Sequence, residues 1–447
     1  MTDRAAIRVL ARADELATHS ARADGIERVY LSPEHRAAND LAAGWMRDAG
    51  LVTWQDAAGN QCGVRQLDVN RGAGTARGAG AGVSGRAATV TADPRSPLQR
   101  AVLLGSHLDT VPGAGRYDGI LGVLIAIEVV DRLRDTELPF DLEVVAFGDE
   151  EGTRFGTTLL GSRALAGTWQ AEWFELEDAG GIRLADAARD FGLDPARFVD
   201  AARGPEELLA YLEVHIEQGP KLEIADRALG IVTGIAAAER RVITFTGEAR
   251  HCATPWELRH DALVGASEGV LAIERIARTR GSFATVGRIQ VQPDAVNVIP
   301  GVATFSLDLR DETARGRDAS WAEILAALQR IATERGLELA VASTHVAPEV
   351  LCAPELRAAL SAGVTAADTA GSDTDGSDTD VPIKLFSVAG HDAMAVAAIS
   401  PVGMLFVRCR GGISHHADES VRADDVALAI DALEAAVRRL AVEHSLR

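Results

Sequence analysis

The amino-acid sequence predicts an α/β fold with a mainly parallel-stranded sheet and an inserted, smaller α+β domain. Three observations lead to this prediction. The chain has 447 residues, which exceeds the usual size of a single hydrophobic core. Four short, continuous apolar runs alternate with helical patterns, as buried parallel strands do. The segment from about 222 to 346 instead follows a strand–helix–strand–strand–helix order, which is typical of an α+β domain.

Helices and buried strands can be assigned in order along the chain. Residues 1–50 predict helices, because apolar residues recur at helical spacing in AIRVLARADELA and AANDLAAGWMRDAGL. The clearest later helix is GILGVLIAIEVVDRLR at 119–134. The four apolar runs are AVLL (101–104) before GSHLD, LEVVAF (142–147) before GDEEG, AYLEV (210–214) before HIEQG, and VGMLFV (402–407) before GGISHH. Ligand sites in open α/β sheets lie beyond the carboxyl ends of the strands, so these His, Asp and Glu residues are expected to meet there.

The domain limits follow from the inserted segment. RRVITFTGEA and GVATFSLDLRD predict strands, and HDALVGASEGVLAIERIAR and DASWAEILAALQRIATERG predict helices. We therefore predict a discontinuous domain of residues 1–221 and 347–447, and an inserted domain of residues 222–346. Two segments of biased composition, 71–86 and 370–380, predict solvated surface loops. The second contains the pentad GSDTD twice, which leaves a calcium site open as an alternative.

Composition disfavours two classes of partner. The formal net charge of −20 argues against nucleic acid, whose phosphates are bound by clustered Lys and Arg. We find no apolar stretch of transmembrane length, and the amino-terminal stretch is charged and amphipathic, without a signal-peptide core. The scattered cysteines, which form neither a CxxC nor a disulfide pattern, are Cys62, Cys252, Cys352 and Cys409. We expect a cytoplasmic protein that binds neither nucleic acid nor a membrane.

The residues after the first apolar run suit a metal site. His107 precedes Asp109 by two residues, so the Asp109 carboxylate can accept a hydrogen bond from the ring and fix its tautomer, as metal-binding histidines require. Asp118 stands at a strand-to-helix junction, where a carboxylate can bridge two cations. Each residue also has an ordinary interpretation: a histidine after a strand can be purely structural, and Asp118 can cap the following helix.

The other runs contribute further candidate ligands. Glu150 and Glu151 are adjacent and can point in different directions, so that one binds metal while the other transfers protons; adjacent glutamates are also common on plain surfaces. His215 and His415 complete a set of nitrogen and oxygen ligands that suits zinc or a similar divalent ion. Random surface residues are not expected at the same end of four buried strands, and this recurrence favours the metal site.

The motifs of the chain resemble those of a known enzyme family. The segments GSHLDTVPGAGRYDGILGVL, FGDEEGTRFG, HIEQGPKLE, GEARHCATPWELRHDAL, AVNVIPG, FSLDLRD, AGHDAM and GGISHHADES occur in the order found in aminoacylase/carboxypeptidase-type di-zinc hydrolases. Within that family they are most similar to the branch of N-carbamoyl-L-amino acid hydrolases, β-ureidopropionases and allantoate amidohydrolases. The resemblance covers nearly the whole chain except the two biased segments. It implies a metallopeptidase-like catalytic domain with an inserted lid or dimerisation domain.

The resemblance also implies a ligand set and a cofactor. His107, Asp118 and His215 would bind one divalent cation, and Asp118, Glu151 and His415 would bind a second. Zinc is the expected metal, and manganese, cobalt or nickel suits similar ligands. The resemblance implies a homodimer as well.

Catalytic residues are implied in the same way. Glu150 would act as the general base, and His251 would polarise the substrate across a dimer interface. The sequence does not settle whether His415 or His416 is the ligand. His415 is favoured because it directly follows Ser414, as in the family motif.

Four further residues resemble substrate contacts. Asn297 and Arg310 match residues that bind the substrate carboxylate, and Gln218 and His391 match other positions of the pocket. From spacing alone, Arg310 can equally be a strand-end surface charge, Asn297 a turn residue and His391 a structural histidine.

The predicted function is hydrolysis of N-carbamoyl-L-amino acids to the amino acid, carbon dioxide and ammonia. Allantoate or another ureido acid is an alternative substrate, and an aminoacylase or dipeptidase would use the same machinery. Cys252 stands beside His251 where relatives often carry Ala, which suggests a thiol nucleophile, although no separate base pattern accompanies it. A non-catalytic metal-binding protein is disfavoured because every expected ligand and the base are present.

Overall fold

The computed structural model of the chain describes residues 4–65, 100–371 and 381–445. The predicted loop at 71–86 lies outside these ranges. The predicted loop at 370–380 also lies outside them, except that residues 370 and 371 belong to the end of a helix.

The described residues form the following α-helices and β-strands. The α-helices are α1 (Arg4–Ala17), α2 (Pro33–Asp48), α3 (Ile120–Arg132), α4 (Leu160–Leu165), α5 (Leu184–Asp190), α6 (Lys221–Ile224), α7 (Ala262–Arg280), α8 (Ala314–Arg335), α9 (Pro354–Gly371), α10 (Ala393–Val396) and α11 (Ala423–Ser445). The strands are β1 (Val52–Gln55), β2 (Gln61–Arg65), β3 (Ala101–His107), β4 (Asp141–Phe147), β5 (Leu208–Ile216), β6 (Leu229–Ile235), β7 (Ala237–Thr246), β8 (Arg250–His251), β9 (Phe283–Thr285), β10 (Ile289–Gln292), β11 (Val298–Ile299), β12 (Val302–Asp311), β13 (Glu338–Ala347), β14 (Val350–Leu351), β15 (Ile383–Ser387) and β16 (Val402–Val407).

The chain divides into two compact units. The first comprises Met1–Thr233, Cys352–Leu385 and His391–Arg447, and the second comprises Gly234–Leu351 and Phe386–Gly390. The domain limits predicted from the sequence, at 221/222 and 346/347, stay a prediction.

The first unit contains a mixed sheet with parallel strands at its centre. Its strand order is β1-β2-β4-β3-β5-β16-β6. The pairs β4/β3, β3/β5 and β5/β16 are parallel, whereas β1/β2, β2/β4 and β16/β6 are antiparallel. The four predicted apolar runs are the four central parallel strands, which confirms the fold class. Their carboxyl ends therefore share one edge of the sheet.

Helix α3 is buried against the central strands, which explains why their sequences are continuously apolar. Every residue from Ile120 to Val130 is buried, and a helix that is apolar on all sides belongs inside a large core. Residues of α1, α2, α9 and α11 join α3 and the central strands in one hydrophobic cluster. Every residue of β3, β4 and β16 is buried, so both faces of these strands are covered and they need no polar alternation.

The second unit is an α+β layer structure. Its antiparallel sheet has the order β10-β12-β7-β13, with β9 paired to β12. Along β12 every second residue is buried, the alternation of a strand with one covered face. Helices α7 and α8 pack on that face through a separate cluster that includes Phe245, Phe305 and Leu328. This agrees with the predicted α+β domain, whose sequence indicated strands and two helices.

Among the described residues, no helix combines the length and the apolar character needed to cross a membrane.

Candidate metal centre and active site

The predicted site residues of the first unit gather at the carboxyl edge of the parallel strands. His107 is the last residue of β3, and His215 lies one residue before the end of β5. Glu150 and Glu151 follow β4 by three and four residues, and His415 follows β16 after a short turn. Parallel pairing of β4, β3, β5 and β16 makes these ends neighbours in space.

Three buried residues form the first ligand group: His107, Asp118 and His215. One nitrogen or oxygen atom from each lies within 4.8 Å of the others. His215 Nε2 is 3.2 Å from Asp118 Oδ1 and 3.4 Å from His107 Nε2. His107 Nε2 is 3.7 Å from Asp118 Oδ1.

The hydrogen bonds of the two rings indicate that this group is built for a cation. His107 Nδ1 lies 3.1 Å from the main-chain oxygen of Asp109, and His215 Nδ1 lies 3.0 Å from that of Ile216. A carbonyl oxygen only accepts, so each Nδ1 carries its proton and donates it. In the neutral rings, the lone pairs of both Nε2 atoms then face one another and the Asp118 carboxylate. Such facing lone pairs repel unless positive charge lies between them, and a divalent metal supplies that charge.

The second ligand group comprises Asp118, Glu151 and His415, again with one atom of each within 4.8 Å of the others. His415 Nε2 is 3.1 Å from Glu151 Oε1 and 3.3 Å from Asp118 Oδ2. Asp118 therefore presents one carboxylate oxygen to each group, the arrangement expected of a residue that bridges two cations. Imidazole nitrogens and carboxylate oxygens are ligands that zinc and similar divalent ions accept.

The same carboxylates shift the titration of the imidazoles. Burial alone would lower the pKa of His107, but hydrogen bonds to Asp109 and Asp118 raise it well above its ordinary value. For His415, hydrogen bonds to Asp118 and Glu151 raise the pKa to about 10. Burial alone would raise the pKa of the Asp118 carboxyl, yet the imidazoles of both groups lower it well below its usual range. Both groups thus favour positive charge at the positions where metal ions would bind.

The structure distinguishes the two adjacent histidines of the HH motif. His415 faces the two carboxylates of the second group, with its backbone at a φ of 56°. His416 is 63% exposed at its side chain, and its Nδ1 lies 3.6 Å from Asp418. Of the two, His415 is the one placed to act as a ligand.

Asp109 holds the glutamate pair by its carboxylate. Its Oδ1 accepts the main-chain N–H of Glu150 at 3.0 Å, and its Oδ2 accepts that of Glu151 at 3.2 Å. The sequence predicted that this carboxylate would orient His107. His107 Nδ1 lies 3.5 Å from this carboxylate and 3.1 Å from the Asp109 main-chain oxygen, so Asp109 contacts the ring through both groups.

Glu150 is buried beside the metal groups. Burial raises the pKa of its carboxyl well above the usual range, against the attraction of His107. A carboxyl group with a raised pKa can hold a proton near neutral pH, which suits a group that takes up and returns a proton.

Two predicted pocket residues also lie in the first unit. Gln218 Nε2 donates to Asp118 Oδ2 at 2.8 Å, and its buried Oε1 has no hydrogen-bond partner among the described residues. His391 is buried with its ring edge-on to that of His215, at 4.5 Å between ring centres. His391 therefore contacts a candidate metal ligand directly.

The remaining predicted residues belong to the second unit. His251 is exposed in β8, and its Nδ1 accepts the main-chain N–H of Ala253 at 3.2 Å. Asn297 is exposed just before β11, which pairs with β8. Arg310, near the end of β12, donates from Nε and Nη2 to the Asp308 carboxylate and from Nη1 to the main-chain oxygen of Val388.

Sequence reasoning missed three residues that shape the site. Gly119 has a φ of 72°, and a Cβ there would overlap the His107 imidazole, so only glycine fits. Ser414 and Glu419 contact Asp118 directly: Ser414 Oγ donates to Asp118 Oδ2, and Glu419 Oε1 accepts the Asp118 N–H at 3.1 Å. The glycine following Asp118 was a usable signal for the first. Nothing in the sequence indicated that Glu419 folds back on Asp118.

The metal-binding geometry agrees with the comparison to known families. The model of peptidase family M20/M25/M40 matches residues 103–439. The chain belongs to this family. That confirms the resemblance inferred from the motifs, and metal dependence is typical of the family.

The most informative relatives act on amide bonds outside peptides. An N-carbamoyl-L-amino acid amidohydrolase of Geobacillus stearothermophilus is 40% identical over 423 residues, which cover 93% of this chain and 94% of that protein. An allantoate deiminase of Arabidopsis thaliana is 37% identical over 447 residues, covering 94% and 79%. A crystal structure of a hydantoinase/carbamoylase family amidase from Burkholderia multivorans superposes with a TM-score of 0.79 at 30% identity, covering 97% of both chains. The chain is accordingly a hydrolase of non-peptide amide C–N bonds, as predicted from the sequence.

Proposed function

We propose that this enzyme removes the carbamoyl group from N-carbamoyl-L-amino acids, giving the amino acid, carbon dioxide and ammonia. One observation carries the proposal: two ligand groups share Asp118 and lie beside the buried carboxyl of Glu150. The carbamoyl substrate is inferred from the name of the Geobacillus relative, whose alignment covers 93% of this chain.

Two divalent cations, with zinc as the expected metal, would be held by His107, Asp118 and His215 and by Asp118, Glu151 and His415. When bound, such cations polarise an amide carbonyl and lower the pKa of a water molecule toward neutrality. The mixed nitrogen and oxygen donors leave manganese, cobalt and nickel as other metals to test.

Glu150 would act first as the general base and then as the general acid. In its ionised form it accepts a proton from the attacking water, and it then returns that proton to the nitrogen of the leaving amine. Burial raises its pKa and so makes the protonated form easier to reach than in water, and the hydrogen bond from its main-chain N–H to Asp109 fixes the segment that carries it. Water adds to the carbamoyl carbon, the bond to the amino-acid nitrogen breaks, and the released carbamate decomposes to carbon dioxide and ammonia.

His251 would stabilise negative charge on the carbamoyl oxygen. Because its Nδ1 accepts the Ala253 N–H, the proton of the neutral ring lies on Nε2, where it is available to a substrate oxygen. A preorganised donor of this kind is typically worth about 10²- to 10³-fold in kcat.

Arg310 and Asn297 would bind the substrate carboxylate. Within the described part of the chain, Asp308 and Val388 accept three of the five N–H hydrogens of Arg310, which leaves one on each terminal nitrogen. Two such hydrogens match the two oxygens of a carboxylate. The Asp308 contact fixes the guanidinium in this orientation.

Gln218 would recognise the carbamoyl group itself. Its Nε2 is committed to Asp118, so its unpartnered Oε1 is an acceptor beside the metal groups. A carbamoyl NH₂ group can donate to it, whereas an acetyl methyl group cannot, and a buried acceptor left unpaired costs about 1–3 kcal/mol. His391 would support the pocket by packing on His215.

A homodimer, a lid role for the second unit and a cytoplasmic location complete the proposal. The homodimer and the lid role rest on the family resemblance, and the location rests on the cysteines, which form no disulfide.

The proposal is tested by a substrate panel with controlled metal content. Metal-free enzyme is assayed with N-carbamoyl, N-acetyl and N-formyl amino acids and with dipeptides, before and after addition of Zn²⁺, Mn²⁺, Co²⁺ or Ni²⁺. We expect activity only with metal, and highest kcat/KM for N-carbamoyl-L-amino acids. Preference for acetyl or peptide substrates would replace the carbamoylase proposal with an aminoacylase or dipeptidase.

Allantoate is the second candidate substrate, because the Arabidopsis deiminase is nearly as similar as the carbamoyl hydrolase. Allantoate also has a carboxylate and terminal NH₂ groups, so the same contacts would serve it. The ratio of kcat/KM values for allantoate and an N-carbamoyl amino acid decides between them.

A further inference from the structure

Glu419 contacts two segments of the site. One carries Asp118, the ligand that both groups share, and the other carries His415, the most exposed of the candidate ligands. Its Oε1 accepts the main-chain N–H of Tyr117 at 2.7 Å and that of Asp118 at 3.1 Å. Its Oε2 lies 3.2 Å from Ser414 Oγ, the residue directly before His415. Ser414 Oγ in turn donates to Asp118 Oδ2. The carboxylate is buried, with 3% of the residue exposed.

The two histidines of the first ligand group do not depend on this link, although Asp118 belongs to both groups. His107 and His215 lie in neighbouring β-strands, and each ring is fixed by a main-chain oxygen. His415 instead lies outside regular structure, 45% exposed at its side chain, and its segment is held next to Asp118 through Ser414 and Glu419. Loss of the link would therefore affect the second group, whose His415 also depends on it, more strongly than the first.

We propose that Glu419 is a positioning residue that sets the second ligand group by fixing Asp118 and the Ser414–His415 segment relative to one another. The inference rests on the proposed two-cation function. Outer contacts of this kind typically change metal affinity by about 10- to 100-fold.

Gly115 provides an independent way to disturb the same contact. A Cβ at position 115 would overlap the Cβ and the carboxyl carbon of Glu419. Gly115 has no positive φ, so alanine fits its backbone conformation and the clash with Glu419 is the main consequence. Gly115→Ala should therefore reproduce the effect of Glu419→Ala while leaving the carboxylate in the sequence.

The experiment is a titration of metal-free, full-length protein with Co²⁺, followed by calorimetry and by visible absorption. We expect Glu419→Ala and Gly115→Ala to bind the second Co²⁺ about 10- to 100-fold more weakly than the wild type does, with a smaller change in the affinity for the first. Glu419→Gln keeps an oxygen for the Tyr117 and Asp118 N–H groups and should restore the second affinity. Asp418→Ala removes the neighbouring, exposed carboxylate and serves as the control for charge, with no expected change.

Two results would overturn the inference. One is wild-type affinity for both ions in Glu419→Ala. The other is equal weakening of both ions together with a lower melting temperature of the metal-free protein, which would mark Glu419 as a general structural residue. If the wild-type protein binds fewer than two ions, the two-cation function itself is refuted. The titration of the wild type alone gives this result, so it is distinct from any effect of the variants.

Discussion

The two ligand groups use similar donor atoms but are held in different ways. In the first group, His107 and His215 are both 1% exposed at their side chains and lie in adjacent central strands. In the second, Glu151 and His415 lie in loops, and the side chain of His415 is 45% exposed. Asp118 belongs to both.

This difference shows that donor chemistry and rigidity are set by separate parts of the sequence. The donors come from short motifs, whereas rigidity comes from the strand or loop that presents them. Strands fix the first group before any metal binds, so less ordering is required of it on binding. We therefore expect the first group to bind its ion more tightly than the second.

The largest effect is expected from the residue that the two groups share. Asp118→Asn preserves the size of the side chain but removes the charge that faces both groups, so both ions and all measurable turnover should be lost. Metal analysis after gel filtration and assays with an N-carbamoyl amino acid measure the two consequences. Two tightly held ions in a folded Asp118→Asn protein would contradict the bridging assignment.

Glu150→Gln should separate chemistry from metal binding. Glu150 is in neither ligand group, so both ions should remain while kcat falls by about 10²- to 10⁴-fold, the usual contribution of a general base. Steady-state kinetics and metal content are measured on the same preparation. Turnover at the wild-type rate would rule out Glu150 as the base.

A smaller and selective effect is expected from the adjacent histidines. Chelator titration of the wild type should remove the ions in two phases, with the second-group ion leaving first. His415→Ala should lack the weaker phase and lose at least the roughly 10- to 100-fold in activity typical of an outer metal contact. His416→Ala, a change of the same type at an exposed neighbour, should keep both phases. A single phase in the wild type would contradict the expectation that the first group binds its ion more tightly than the second.

Much of the fold and of the donor set could be predicted because the signals are local. Each central strand is a continuous apolar run, and each run is followed by its own ionisable residues within about eight positions. Parallel pairing then brings these residues together without further information.

Contacts that depend on how a loop turns could not be predicted. The Asp109 carboxylate also accepts the main-chain N–H groups of Glu150 and Glu151, and nothing in the sequence indicated these two hydrogen bonds. Glu419 and Asp118 are 301 positions apart in the sequence, and no sequence periodicity indicates that they are in contact. The roles of His251, Asn297 and Arg310 stay predictions that the substrate panel and alanine variants can test.

Buried His35 offers the last and smallest test of the comparison, because it lacks the carboxylate partners of the metal histidines. Its Nδ1 accepts the Leu31 N–H at 3.2 Å, its ring stacks on Phe191, and its Nε2 has no hydrogen-bond partner among the described residues. Burial lowers its pKa to about 4, whereas the carboxylates around His107 raise the pKa of that ring. The same residue type, equally buried, thus responds in opposite directions according to the acids placed beside it.

The sign of the His35 effect on stability follows from linkage. The unfolded chain takes up a proton on this histidine below a pH of about 6.5, and the folded protein does so only near pH 4. The contribution of neutral His35 to the free energy of unfolding is fully present above pH 6.5. It is lost as the pH falls toward 4, and the total loss is about 3 kcal/mol. Urea unfolding of metal-free wild type and His35→Asn across this range should show a steeper decline in the wild type, because asparagine can accept the Leu31 N–H but does not titrate. Parallel pH profiles would mean that His35 is protonated as easily in the folded protein as in the unfolded chain, and that burial alone does not separate it from the histidines of the metal groups.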